Sequence, residues 1–200
     1  MIGTTTNIEL MIMAAGASRR LGQPKQLLKY KGKSLIRRIS EESIKANIGN
    51  ITIVTGYNHE IIEQEVKGLK VNIFYNEEWE EGLGASIRNG LKHVLAKNPE
   101  TNAILLTMVD QPFVDAVHLK KLVNTYDPSR PMIIASAYSG TFGVPVLVDS
   151  FYFDMLKELQ GDEGGKKIFV NYLKNIVEIP FIEGAIDIDV KGDLKTLNKE

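Results

Sequence analysis

Three cations gather in one connection near the start of the chain. Residues 16–25 read G-A-S-R-R-L-G-Q-P-K, which places Arg19, Arg20 and Lys25 in a loop punctuated by Gly16 and Gly22. Successive backbone N–H groups, or the N-terminus of a helix, can cradle a phosphate, and glycine lets the backbone come close to it. Two common phosphate loops are not met. In the pattern G-x-x-x-x-G-K-[ST] the residue after Gly22 would be lysine, and here it is Gln23; in G-x-G-x-x-G a second glycine would stand where Ser18 stands. Charge alone equally describes a solvated surface loop. Position favours a ligand, because the loop follows directly on the apolar run from Ile8 to Ala15, and open α/β sheets hold ligands at such strand ends. A second candidate is Asp110, in L-T-M-V-D-Q-P at the close of another apolar run. Taken by itself, an aspartate before a proline-containing turn reads as the cap of that turn.

Strand-like and helix-like segments alternate around these residues. Short apolar runs at 8–14, 51–55, 71–75, 103–109, 132–137, 144–148 and 176–180 read as strands. Segments with apolar residues at helical spacing occupy 34–46, 59–66, 85–97, 116–126, 151–160 and 165–173, with a further helix at 191–198. The strands are continuous apolar runs rather than alternating ones, as expected when both faces of a sheet are covered. The expected fold is α/β: a Rossmann-like three-layer α/β/α domain with a mainly parallel sheet. One domain spanning 1–200 is expected. After Gly140 the alternation loses regularity, and that part is expected to form a lid or accessory sheet. If the 8–14 and 103–109 strands are neighbours across a switch in strand order, the basic loop and Asp110 face each other.

Composition limits the function classes. The 200 residues are 44% hydrophobic, enough for a substantial core, and 24 Lys and Arg balance 25 Asp and Glu for a net charge of −1. That balance argues against broad binding to nucleic acid or an acidic membrane. With no cysteine there is no disulfide, thiolate nucleophile or Cys-zinc site. Residues 1–7 lack a secretory pattern, and no apolar run approaches the ~20 residues that span a bilayer. The expectation is a soluble cytoplasmic protein. His59, His93 and His118 fall on expected helices with no partner motif and read as surface or structural residues.

The motifs together carry a resemblance. M-A-A-G-A-S-R-R-L-G-Q-P-K-Q-L-L is similar to the A-A-G-x-S-x-R-(M/L)-G-x-x-K-x-L-L motif of the small nucleotidyltransferases, closest to the molybdenum-cofactor cytidylyltransferase (MocA-like) branch of the MobA-like NTP transferases. Residues 76–91, N-E-E-W-E-E-G-L-G-A-S-I-R-N-G-L, match every fixed position of N-x-x-W-x-x-G-(M/L)-x-x-S-(L/I)-x-x-G-L. The resemblance runs from Ile8 to Leu197, strong in the first half and looser after Gly140. It implies a fold of the nucleotide-diphospho-sugar transferase type, with an NTP-binding half at about 1–115 and an acceptor-binding half at about 116–200. It implies that Ala14, Ala15, Gly16 and Ser18 underlie the nucleotide and that Arg20 and Lys25 hold its phosphates. Arg19 fills a variable position and is given no role. Asn76, Gly82 and Ser86 would contact the nucleotide. For Trp79, core packing is as good a reading, and Ser86 on its own reads as a helix-start hydroxyl.

By the same resemblance Asp110 binds Mg²⁺ or Mn²⁺, and Asp189, in D-I-D-V-K-G-D-L, supplies a second carboxylate. One or two carboxylates suffice for a hard cation that takes its other ligands from phosphates and water. Arg20, Lys25 and Asp110 are thus the expected catalytic residues. The implied reaction transfers an NMP, CMP from CTP being favoured, to a small phosphorylated acceptor such as molybdopterin, releasing pyrophosphate. A molybdoenzyme or cofactor-delivery protein is the implied partner. Departures lie in the second half: Val144 stands where many members carry His or Asn, Gly165-Lys166 replaces Ala-Arg, and Val190-Lys191-Gly192 replaces T-P-E. Lysine keeps the charge of arginine but loses its bidentate fork. Two other readings stay open: a sugar- or polyol-phosphate nucleotidyltransferase, and a non-catalytic protein that binds or delivers the cofactor.

Overall fold

A computed structural model describes residues 6–164 and 169–188. The order is β1 (Ile8–Ala14), a short hairpin of β2 (Lys29–Tyr30) and β3 (Lys33–Ser34), α1 (Leu35–Ala46), β4 (Ile51–Thr55), α2 (His59–Glu65), β5 (Asn72–Tyr75), α3 (Leu83–Lys97) and β6 (Ala103–Met108). Then follow α4 (Ala116–Asn124), β7 (Ile133–Tyr138), β8 (Thr141–Asp149), α5 (Phe153–Lys157) and β9 (Ile176–Pro180). Seven strands form one sheet in the order β5-β4-β1-β6-β8-β7-β9. Only β8 runs antiparallel, pairing with β6 on one side and β7 on the other.

Strand β1 shows why the sheet is covered twice. All seven of its residues are buried. Leu10, Ile12 and Ala14 join Leu105, Ile36, Ile39 and Leu119 in one apolar cluster, on the side of α1, α2 and α4. Met11 and Met13 join Ile104, Leu106, Leu91 and Leu156 in the other, on the side of α3 and α5. Adjacent residues of a strand face opposite ways, so a run of seven buried residues, six of them apolar, needs a partner layer on each face. The expected α/β/α architecture is what forms.

Register sets the heights at which the loops leave the sheet. Ile12 pairs with Thr107 and Met13 with Met108, and the Val109 amide donates to Met13 O at 3.3 Å. The loop after β1 and the turn carrying Asp110 therefore leave side by side. On its other edge β1 pairs with β4, so strand order reverses at β1.

Several expectations change. The part after Gly140 is no accessory sheet: β8 begins at Thr141, forms a hairpin with β7 and completes the main sheet. An antiparallel return needs only a short turn, which is why strand–helix alternation lapses there. The small separate sheet is instead the β2–β3 hairpin, two residues per strand and too short for periodicity to reveal. Helix α3 starts at Leu83 rather than at 85. The 151–160 helix shrinks to a 3₁₀ turn at Ser150–Tyr152 followed by α5. Of the expected 165–173 helix, Val170–Asn175 is 3₁₀ and 165–168 lie outside the described residues, as does the 191–198 helix. Among the described residues no helix is long and apolar enough to cross a membrane.

Candidate active site

A cleft of about 520 Å³ opens at the C-terminal ends of β1 and β6. Its floor is Met13, Ala14, Met108, Val109 and Asp110; one wall is Ala15 to Leu21 with Lys25. The facing wall is Trp79, Glu80, Gly82, Leu83 and Ser86, and Asp162 and Ile188 complete the rim. Ala14, Ala15, Gly16, Ser18, Arg20, Lys25, Gly82, Ser86 and Asp110 thus meet around one space.

The basic loop folds upon itself at Ser18. Ser18 has φ +55°, its carbonyl accepts from the amides of Leu21 and Gly22, and its Oγ accepts from the Lys25 amide at 3.1 Å. Leu21 is 1% exposed and acts as the apolar plug of an otherwise polar loop. Arg19 and Arg20 are exposed on the cleft wall. Lys25 begins a 3₁₀ turn, Lys25–Leu27, and turns inward. Its Nζ lies 2.5 Å from Asp110 Oδ2, with the two side chains 15% and 9% exposed. A charge-assisted pair this sheltered from water holds the ammonium and carboxylate together at the cleft floor. It joins the first loop to the end of β6, across 85 residues of sequence.

Asn76 is not among the residues lining the cleft. It is 1% exposed, its Nδ2 donates to Ser86 Oγ at 3.2 Å, and its Oδ1 accepts from Asn89 Nδ2 at 2.9 Å. Ser86 in turn donates to Gly82 O at 3.3 Å. Asn76 thus holds the Ser86 hydroxyl from behind. Trp79 lines the cleft and meets the Tyr57 ring edge-on at 5.4 Å between centroids, so it is both wall and packing.

The facing wall also reveals what its glycines are for. Gly82 has φ +117°, and a Cβ there would lie 2.5 Å from Gly161 O and from Asp162 Oδ1. A Cβ on Gly84 would meet Gln160 O at 2.8 Å. The loop around Gly161 is pressed against this turn: the Gly84 amide donates to Gly161 O at 2.8 Å, and Arg88 donates to Leu159 O at 2.9 Å while bridging Glu78 and Glu81. This close approach brings Asp162 to the cleft. The sequence contains the motif but not the contact, which joins positions about eighty residues apart.

Asp189 lies outside the described residues. Ile188, the residue before it, is buried, lines the cleft and donates its amide to Asp110 O at 3.0 Å. Tyr138 stands near the same turn; burial pushes its phenol up, and the charges of Asp187 and Asp110 add to the shift. Gln111, a variable motif position, is buried and donates to Val144 O and Gly184 O, both at 3.1 Å, tying the Asp110 turn to β8 and to the Ile182–Ala185 turn. His118 is buried, stacks on Phe181 at 4.1 Å and bonds Ser136 Oγ through Nε2 at 2.7 Å. Burial lowers its pKa to about 4, so the ring is neutral near pH 7. His118 is not among the cleft residues.

Sequence reasoning missed Gln26 and Asp162. Gln26 is fully buried, and its Nε2 donates to Ala14 O at 2.9 Å and Gly16 O at 2.8 Å. A polar residue among surface-like loop residues carries no signal of burial. Asp162 had a signal, since Leu159 to Lys166 match the family's L-x-G-D-x-G-A-R in part, but nothing in sequence places it at the cleft.

Residues 10–176 match the MobA-like NTP transferase domain. The chain is 27% identical over 177 residues to nicotine blue oxidoreductase of Paenarthrobacter nicotinovorans, covering 84% of each protein. In structure it is similar to Rv0371c of Mycobacterium tuberculosis H37Rv, with TM-score 0.82, 25% identity and coverage of 98% of this chain and 100% of that one. A structure of Rv0371c in complex with manganese superimposes with TM-score 0.77 and 22% identity, over 98% and 100% of the two chains. With its mostly parallel seven-stranded sheet, its basic loop after β1 and a family match over most of its length, the chain belongs to the MobA-like NTP transferases and is a nucleotidyltransferase of that family.

Proposed function

We propose that the chain transfers an NMP, CMP from CTP in the favoured case, to a small phosphorylated acceptor such as molybdopterin, with release of pyrophosphate. The observation that carries this reading is the Lys25–Asp110 pair, which sets a cation and a carboxylate at the floor of one cleft between the basic loop and the β6 end. An acceptor oxygen attacks the α-phosphorus in line; the bond from that phosphorus to the β-phosphate oxygen breaks, and pyrophosphate departs. No protein nucleophile is required, because positioning and charge stabilisation carry phosphoryl-type transfer. The difficulty is repulsion: two unit charges ~4 Å apart cost ~4 kcal/mol at an effective dielectric near 20. Lys25 and Arg20 offset it by holding phosphate oxygens, and Ala14 to Ser18 present backbone to the nucleotide. Gly82 and Ser86 meet the nucleoside, with Asn76 fixing the Ser86 hydroxyl.

The residues fit a hard divalent cation. Asp110 offers a nearly buried carboxylate at the cleft, and among the described residues there is no cluster of three metal-ligating side chains. That is the donor set of Mg²⁺ or Mn²⁺ held by one or two carboxylates plus substrate phosphates. Asp110 and Asp189 would hold it; when bound, it would neutralise charge on the phosphate oxygens. A structure of similar fold is described with manganese, which supports this choice.

The NTP-binding half, about 1–115, and the acceptor-binding half, about 116–200, would work as one cytoplasmic unit. A molybdoenzyme or cofactor-delivery protein is the proposed recipient of the product. The test is pyrophosphate release from CTP, GTP and ATP against molybdopterin and a panel of sugar and polyol phosphates, with Mg²⁺ or Mn²⁺. Release with CTP and molybdopterin supports the reading. Release only with sugar or polyol phosphates moves the acceptor to that class. Nucleotide binding without release from any pair replaces the enzyme reading by a cofactor-binding one.

A further inference from the structure

We infer that Gln26 is a positioning residue for phosphate binding, an inference that rests on the loop after β1 being the phosphate cradle. Gln26 follows Lys25 in a short 3₁₀ turn and is 0% exposed. Its amide nitrogen carries two hydrogens, and both have acceptors in the loop: Ala14 O at 2.9 Å and Gly16 O at 2.8 Å. Its Oε1 faces Asn58 Nδ2 at 3.4 Å, and Asn58 is itself buried at the start of α2. The carbonyl between the two, Ala15 O, accepts from the Tyr57 amide at 3.2 Å. Three successive loop carbonyls are thus held from the protein side.

The consequence is geometric. In a trans peptide the N–H points opposite to the C=O of the same unit. Holding Ala14 O and Gly16 O inward turns the N–H groups of Ala15 and Ala17 the other way, on the side of the cleft that both residues line. Backbone N–H groups aimed in one direction make an anion-binding concavity without any charged side chain. Gln26 therefore orients the cradle, and its attachment also fixes where Lys25 starts toward Asp110. A side chain without N–H donors leaves two carbonyls unpaired and free to rotate toward the phosphates, where they repel.

The experiment uses the full chain with pyrophosphate and CTP as probes, in Mg²⁺. Gln26→Leu, with its fold checked by circular dichroism, should weaken pyrophosphate and raise the CTP KM by about tenfold or more, with a smaller change in kcat, since buried carbonyls left unpaired are costly. Gln26→Glu adds a readout that a packing role would not move. At pH 8 its carboxylate cannot donate; near pH 5.5 a protonated carboxyl donates one hydrogen bond. Its pyrophosphate affinity relative to wild type should therefore rise as pH falls. Unchanged pyrophosphate affinity in folded Gln26→Leu, while Lys25→Ala still loses it, overturns the role of Gln26 and leaves the cradle standing. Should Gln26→Leu not fold, a relative affinity of Gln26→Glu that is flat with pH overturns it equally. Wild-type protein that binds neither pyrophosphate nor any NTP overturns the cradle itself.

Discussion

On one wall of the cleft, Leu21 and Gln26 are buried and hold the loop from beneath. Against the facing wall, Gly161 and Asp162 are exposed, and the loop that carries them is held by backbone contact with Gly82 and Gly84 and by Arg88 at Leu159 O. The first wall is largely a local device, built mostly within residues 14–26 and braced from outside by Tyr57 and Asn58. The second is an agreement between two loops far apart in sequence. A local device can recur wherever a triphosphate must be held, because the phosphates are the same in every NTP. A contact between distant loops can drift with whatever sits beside it. Every fixed motif position is met over 14–28, on the first wall, and the match is only partial over 159–166, on the loop pressed against the second.

Substitutions can break this contrast, beginning with the cleft floor where both walls meet. Asp110→Asn should lower pyrophosphate release by about a hundredfold or more while leaving the fold intact, since it removes the carboxylate proposed for the cation. Unaltered turnover would remove Asp110 from the chemistry. Lys25→Ala should cost about a hundredfold in kcat/KM, the scale for losing one charge-stabilising group. It also leaves a sheltered Asp110 without its ammonium, so thermal stability should fall as well. Lys25→Arg, which keeps the charge, should recover stability more fully than activity.

The facing wall should respond differently. Gly82→Ala puts a methyl against Gly161 O in a left-handed backbone, a clash with main chain that nothing flexible can relieve. We expect a loss of about 1–3 kcal/mol, as in other overpacked sites, with activity reduced mainly through the nucleoside contact at Gly82 and Ser86. Binding of pyrophosphate and of NTP, measured in turn, would separate the two walls: Lys25 variants should lose affinity for both, and Gly82→Ala for NTP alone. If both lost pyrophosphate equally, the walls would not divide the phosphates from the nucleoside.

The smallest effect concerns stability alone. His118 is held neutral by burial, with its pKa lowered to about 4 against 6.5 for the free side chain. The unfolded chain therefore takes up the proton first as pH falls, so this group's contribution is full above about pH 6.5 and is lost between 6.5 and 4. Asp115 and Glu183 raise the pKa and Lys121 lowers it, but burial outweighs them. Denaturation midpoints measured through that window should slope less in His118→Gln than in wild type, with turnover near pH 7 little changed.

Much of this was legible from the residues. The seven strands of the sheet announced themselves as apolar runs, most clearly at its centre, where β1 and β6 are covered on both faces. The histidines read as structural, and His118 is so. The short elements were not legible: a two-residue hairpin strand has no period, and β8 is antiparallel because a turn of Ser139 and Gly140 joins it to β7, which no apolar count reveals. Asn76 matched a motif position expected beside the nucleotide, yet its side chain is spent on Ser86 and Asn89. A motif records that a residue is needed, and an amide behind a ligand contact is needed as much as the contact.

By itself the sequence determined the layer architecture and the identity of the charged groups, because apolar period and residue type are local properties of the chain. Tertiary structure alone decided that Lys25 meets Asp110, that Gln26 turns the loop's carbonyls inward, and that Gly82 yields its side-chain space to Gly161. Each is a matter of a few ångströms between segments that only strand order and register bring together.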